Sequence, residues 1–143
     1  MIAIDTNLLV YAHRSGCPEH KQARLAIERA ATNPRGWGIA LPSFAEFWMV
    51  VTHPSCVGGP TEPAKARNFL ASLLETGEPK VFLPGKAFGE RLIQTAADLG
   101  VTGIRIFDLQ IGLLAVENGA TELWTHDAGF VPISKLTVKD PLS

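Results

Sequence analysis

Four times in 143 residues an acidic side chain stands where an apolar run stops or a helix should begin. Asp5 follows Ile2-Ala3-Ile4, and Glu46 opens a hydrophobic helix after Leu41-Pro42-Ser43. Asp108 follows Ile104-Arg105-Ile106-Phe107, and Asp127 follows Leu123-Trp124-Thr125. Parallel strands ending at one edge of a sheet would bring these carboxylates to the crevice where open α/β sheets bind ligands. Carboxylates gathered in one crevice repel. Such a cluster is tolerable at neutral pH only when protons or a divalent cation neutralise it. The pattern points to metal-dependent chemistry.

The intervening segments read as helices. Thr6-Asn7 begins a short helix through Leu8, Leu9 and Ala12, and a break follows at Ser15-Gly16-Cys17. Pro18 and Glu19 suit the first turn of a second helix running to about Thr32, with Ala23, Ile27 and Ala30 on its inner stripe. Trp37 to Leu41 reads as the second strand. Ser43 and Glu46 have the spacing of a capping box ahead of a helix over Phe44 to Thr52. That helix is apolar nearly all round, so it is either buried or covered by a partner. Positions 66, 69, 70, 73 and 74 predict an amphipathic helix ending at Gly77, and Val81-Phe82-Leu83 a third strand. Phe88, Leu92 and Ala96 share a helix face that ends near Gly100. Asp108 can cap a helix carrying Ile111, Leu114 and Ala115. Glu122 to Thr125 reads as strand four and Leu136 to Val138 as strand five. Strands alternating with helices indicate an α/β fold with a mostly parallel central sheet, in one domain over residues 1–143.

The net charge of −1 argues against a strongly electrostatic nucleic-acid binder, yet leaves a nucleic-acid enzyme open, because local charge decides. If a metal neutralises four of the 14 acids, the rest of the surface is mildly basic. No apolar run approaches a membrane span and no signal peptide is visible, so a cytoplasmic protein without membrane contact is expected. Cys17 and Cys56 read as isolated thiols.

Each acid also has a purely structural reading. Asp5 and Asp108 could be N-caps, Glu46 only a capping-box residue, and Asp127 a turn aspartate. Capping does not exclude catalysis, since a helix start at a strand end holds a side chain rigidly. Carboxylates without cysteine or clustered histidine suit a hard cation such as Mg²⁺ or Mn²⁺. His13, His20, His53 and His126 have no zinc-type spacing. Thr6, Asn7 and Thr125 could steady a ligating carboxylate or a bound water, or simply cap backbone. Arg14, Lys21, Arg24, Arg29 and Arg35 could contact phosphates or be a solvated helix face. Arg105, three residues before Asp108, is the cation expected nearest the site.

Ile4-Asp5-Thr6-Asn7-Leu8-Leu9-Val10-Tyr11-Ala12 resembles the first motif of PIN-domain ribonucleases, in particular the VapC toxins of bacterial toxin–antitoxin pairs. Three further segments match in order: Pro42-Ser43-Phe44-Ala45-Glu46-Phe47 with Val51-Thr52-His53-Pro54, then Phe107-Asp108-Leu109-Gln110-Ile111, then Thr125-His126-Asp127-Ala128-Gly129-Phe130. The resemblance implies a three-layer α/β/α fold, Mg²⁺ dependence with Mn²⁺ as substitute, and endonucleolytic RNA cleavage leaving 5′-phosphate and 3′-hydroxyl ends. It maps the acidic site onto Asp5, Glu46, Asp108 and Asp127, with Asp5 and Asp108 as the principal metal ligands. It also implies a homodimer and a cognate antitoxin. Gly129, Leu109 and the Ile104-Arg105 pair depart from the family's usual residues, which leaves the number of ions open.

On this reading the cation activates a water for in-line attack on the scissile phosphorus. Two rivals stand beside it. A haloacid-dehalogenase-type phosphatase also starts with a strand and an aspartate, but needs a second aspartate where this chain has Asn7. A catalytically silent PIN-like binding module would keep the acids and bind no metal.

Overall fold

The computed structural model describes residues 1–143. Five strands form one sheet: β1 (Ile2–Ile4), β2 (Trp37–Ala40), β3 (Lys80–Phe82), β4 (Glu122–Trp124) and β5 (Thr137–Lys139). Six helices connect them: α1 (Thr6–His13), α2 (His20–Ala31), α3 (Leu41–Thr52), α4 (Pro63–Gly77), α5 (Phe88–Leu99) and α6 (Arg105–Glu117). The strand order is β3-β2-β1-β4-β5, and all four pairings are parallel. Ile2 pairs with Trp37 on one side and with Glu122 on the other. The chain builds outward from β1 to β3, then crosses back to lay β4 on the opposite side of β1.

Alternation along the strands divides the interior into two layers. Ile2, Ile4, Trp37 and Ile39 pack with Leu8, Leu9, Ala23, Ile27, Phe47, Val51 and Leu70, which come from α1 to α4. Ala3, Ala40, Phe82 and Leu123 face the other way, against Phe88 of α5 and Leu109, Ile111, Leu114 and Ala115 of α6. Helices therefore cover both faces, as the three-layer expectation required, and buried strands explain why the runs are apolar throughout. Solvated ends are handled locally: Gly100 takes a left-handed φ of 65° and closes α5.

Several expectations need correction. The helix α2 begins at His20, with Pro18 in the preceding turn. Strand boundaries shift by a residue: β2 stops at Ala40, β3 begins at Lys80, β4 stops at Trp124 and β5 begins at Thr137. The Ser43–Glu46 capping box does not form. The chain passes directly from β2 into α3 with Ala40 as N-cap, and Pro42 fits the first turn, so the helix starts upstream of Ser43. The Ser43 hydroxyl is buried with no hydrogen-bond partner. Asp108 does not cap α6, whose N-cap is Ile104. Gly103 sits at φ 59°, and the alternating run after it is the first turn of α6, with Ile104 and Phe107 exposed. A four-residue apolar run does not distinguish strand from helix. The helix α3 is neither wholly buried nor wholly exposed: Phe47 and Val51 are in the core, whereas Leu41, Trp48, Met49 and Val50 face outward.

β2 and β3 approach closely at Gly38. A Cβ there would lie 2.6 Å from the Lys80 carbonyl oxygen and collide with the Phe82 ring. The backbone oxygen belongs to the neighbouring strand and cannot step aside. Gly38→Ala should therefore destabilise the fold by about 1–3 kcal/mol, an overpacking cost measurable by urea denaturation.

Candidate active site

The strand order sets the site. The neighbours of β1 are β2 and β4, and the direction of winding reverses between β1 and β4. All three strands end at the same edge, where side chains that follow them converge. Asp5 follows β1, Glu46 lies on α3 immediately after β2, and Asp127 follows β4. Asp108 arrives from the first turn of α6. All four acids line one pocket of about 360 Å³, together with Thr6, Asn7, Val10, Tyr11 and Val50.

A hydrogen-bonded hub beneath the pocket fixes these groups. Asp5 is only 5% exposed. Its Oδ1 accepts from the Thr6 amide at 2.8 Å, so it does cap α1. Its Oδ2 accepts from the Thr125 hydroxyl at 2.7 Å and from the Asn7 amide at 3.2 Å. Thr125 is buried, and its oxygen in turn accepts from Asn7 at 2.9 Å and from the Asp127 backbone amide at 3.1 Å. The Asn7 carbonyl oxygen accepts from the His126 amide at 3.1 Å. Thr6 donates its hydroxyl to Glu46 Oε2 at 2.9 Å, the contact that replaces the expected capping box. Thr6, Asn7 and Thr125 thus all lie where the sequence placed them, against the acids. Asp127 also holds a turn, its Oδ1 accepting from the Gly129 amide at 2.9 Å.

Arg105 is the cation at this site. Its Nη1 donates to Asp108 Oδ2 at 2.8 Å and to Asp127 Oδ2 at 3.0 Å. The other basic residues of the first third lie elsewhere. Arg14 donates to Thr61 and to the Val57 carbonyl, and Arg29 lies over the Trp124 ring, so neither lines the acidic pocket. His126 pairs with Asp140 at 2.8 Å and meets the Tyr11 ring edge-on. Tyr11, Val10 and Val50 were not foreseen as pocket walls. Tyr11 and Val10 sit one helical turn after Thr6 and Asn7, so the helical period could have shown them on the same face.

The pocket carries negative charge that protein groups only partly relieve. Burial raises the pKa of Asp5 to about 6, with Asp108 and Glu46 adding repulsion and the Thr125 and Thr6 hydrogen bonds opposing the rise. Burial also raises that of Glu46, against the pull of the Thr6 hydroxyl. The ligating atoms on offer are carboxylate oxygens, the type that suits a hard divalent cation. No three His, Cys, Asp or Glu side chains are gathered tightly enough to hold an ion unaided. An ion that keeps part of its water shell, as Mg²⁺ does, fits such a site.

The family model described as PIN domain matches residues 2–136. The chain belongs to the PIN-domain family. Ribonuclease VapC43 of Mycobacterium tuberculosis is 33% identical over 142 residues, covering 99% of this chain and 96% of that protein. Ribonuclease VapC48 of the same organism is 27% identical over 141 residues, covering 97% and 96%. Among solved structures, M. tuberculosis VapC20, described as a sarcin-ricin loop cleaving toxin, superposes with a TM-score of 0.68 at 16% identity, covering 93% of this chain and 98% of that one. VapBC2 from Rickettsia felis, bound to a promoter DNA fragment, gives 0.68 at 22% identity and covers 98% of each chain. At such identities the structural likeness speaks for the PIN fold. Membership in this family sets aside the dehalogenase-type phosphatase.

The buried carboxylate predicts a pH dependence of stability. Asp5 binds its proton more tightly in the folded state, at about 6 against an ordinary 3.8, so protonation favours folding in that interval. The contribution is fully present below the unfolded value and is lost as pH rises through the folded one. In chelator, the stability of the wild type relative to Asp5→Asn should fall by up to about 3 kcal/mol between about pH 4 and about pH 7. Urea denaturation across that range checks it; a flat difference would show that Asp5 is not desolvated as described.

Proposed function

We propose that this PIN domain, residues 1–143, is a Mg²⁺-dependent endoribonuclease of the cytoplasm and the toxin of a type II toxin–antitoxin pair. The observation that carries the reading is the convergence of Asp5, Glu46, Asp108 and Asp127, from four separate elements, on one pocket at the C-terminal edge of β1, β2 and β4. The VapC ribonucleases among its relatives support the choice of RNA as substrate.

Asp5 and Asp108 would hold the ion, with Glu46 beside them. A Mg²⁺ held there, or Mn²⁺ in its place, would lower the pKa of a bound water and offset charge on the phosphoryl oxygens. The chain's own part is orientation. Thr125 and Asn7 hold the inner oxygen of Asp5, and Thr6 fixes both the outer oxygen of Asp5, through its amide, and Glu46, through its hydroxyl. Asp127, anchored through its backbone amide to Thr125, closes the far wall. The side chains are therefore positioned before substrate arrives, and no rearrangement is needed at the moment of reaction.

The outward face of α3 is the surface we assign to protein partners, a second copy of the chain and a cognate antitoxin. Trp48 and Met49 are exposed there, with Met49 at 60%. M. tuberculosis VapC20 is described as a toxin, and R. felis VapBC2 and FitAB were solved bound to DNA fragments, which supports a partner of the antitoxin class. No helix is long and apolar enough to cross a membrane.

Asp5→Asn and Asp108→Asn should each lower RNA cleavage in Mg²⁺ on the order of 100-fold or more, because each removes charge from the ion's seat with little change in volume. Thr125→Val should cost roughly 10–100-fold by freeing Asp5. Cleavage-site mapping on total cellular RNA, with Asp108→Asn as control, tests both; an Asp5→Asn protein that folds and cleaves at the wild-type rate overturns the assignment. Light scattering should show a dimer of the chain alone and a larger complex with its neighbour-encoded partner. A strict monomer in both cases would remove the role given to α3.

A further inference from the structure

The proposed reading leaves open how many ions the pocket holds, and Arg105 bears on that number. Its Nη1 lies between two of the four acids, 2.8 Å from Asp108 Oδ2 and 3.0 Å from Asp127 Oδ2. The space it uses exists because residue 129 has no side chain. A Cβ on Gly129 would lie 2.6 Å from Arg105 Nη2 and 3.3 Å from its Cζ. The guanidinium therefore occupies the volume a side chain at 129 would otherwise fill.

The consequences for the carboxylates are unequal. Both oxygens of Asp127 are engaged, Oδ2 by Arg105 and Oδ1 by the Gly129 amide. Asp108 is engaged through Oδ2 only, which leaves Oδ1 without a protein partner, and Glu46 likewise keeps Oε1. A divalent ion drawn to Asp127 would have to displace a cation already hydrogen-bonded to it. An ion on the Asp5 side meets no such competitor. A guanidinium is charged at every accessible pH and matches two carboxylates with fixed donors, so it is well suited to this place.

We propose that Arg105 is a tethered cation standing where a second divalent ion would otherwise sit, so that the pocket takes one ion, shared by Asp5, Glu46 and Asp108. This rests on the metal-dependent reading above. Arg105 acts through the two carboxylates it holds and is a positioning residue. Gly129 belongs to the same device, since it makes the room.

The test is Mn²⁺ binding to the full chain, followed by calorimetry and by electron paramagnetic resonance, with Arg105→Gln and Gly129→Ala as variants. The backbone at Gly129 is outside the left-handed region, so alanine is sterically admissible there once the flexible end of Arg105 moves away. The wild type should bind a single Mn²⁺. Arg105→Gln should take up a second, and Gly129→Ala should do so with weaker affinity, because the displaced charge is still nearby. The extra ion should broaden the resonance of the first, since both share one pocket. Gly129→Ala keeps every charged group and carries the test should Arg105→Gln fail to fold. Two ions in the wild type overturn the proposal. So does a single ion in both variants, or a second ion that leaves the first resonance unchanged. If no form binds Mn²⁺, the metal-dependent reading itself falls and the silent binding module takes its place.

Discussion

The buried carboxylate of Asp5 is the constraint around which the site is arranged. An acid that is 5% exposed carries a desolvation penalty, and two further acids face it across the same pocket. Three donors offset part of that cost, and the most central is Thr125, which donates to Asp5 while accepting from Asn7 and from the Asp127 amide. One hydroxyl thereby joins the ends of β1 and β4 and the turn that carries Asp127. A satisfied network of this kind fixes geometry, and the charge it leaves unmet is what would draw a cation to the pocket under the proposed function.

The sheet makes that arrangement geometrically inexpensive. Because β2, β1 and β4 are neighbours and parallel, their ends lie side by side, and the helices that follow them start within reach of one another. Apolar strands packed on both faces hold the edge in place. The helix α3 serves two layers of this organisation at once. Phe47 and Val51 anchor it in the core, Glu46 and Val50 turn toward the pocket, and Met49 and Trp48 remain outside. A helix that merely covered the sheet would have a polar outer stripe, which α3 lacks.

Arg105 brings the one positive charge that touches the acids directly, and it does so from the exposed side of the pocket. There Arg105 bridges Asp108 at 2.8 Å and Asp127 at 3.0 Å, with its own side chain partly exposed. The inner half of the pocket is thus held by buried, neutral hydrogen-bond donors and the outer half by a partly exposed charge. That asymmetry distinguishes Asp5, which cannot move, from Asp127, whose carboxylate is shared between a turn and a guanidinium.

Much of this was legible in the residues. The β-branched run before Asp5, the amphipathic stripes of α2 and α4, and the placement of Asp5 and Asp127 after strands follow from local period and chemistry. So did the closeness of Thr6, Asn7, Thr125 and Arg105 to the acids, because neighbours in sequence at a strand end are neighbours in space. Asp108 lines the pocket beside the other acids, but from within the first turn of α6 and not as its N-cap, because a short apolar run does not show where a helix starts. The Ser43–Glu46 pair failed for a different reason: Pro42 drew the helix start upstream, and the Thr6 hydroxyl competed for Glu46 from 40 residues away. What the sequence by itself determined is the set of strands, helices and acids, because these depend on contacts a few residues long. Only the tertiary structure decided the strand order, the Thr125 hub, the Gly129 opening and the two-sided use of α3, because each depends on which distant segments come to lie against one another.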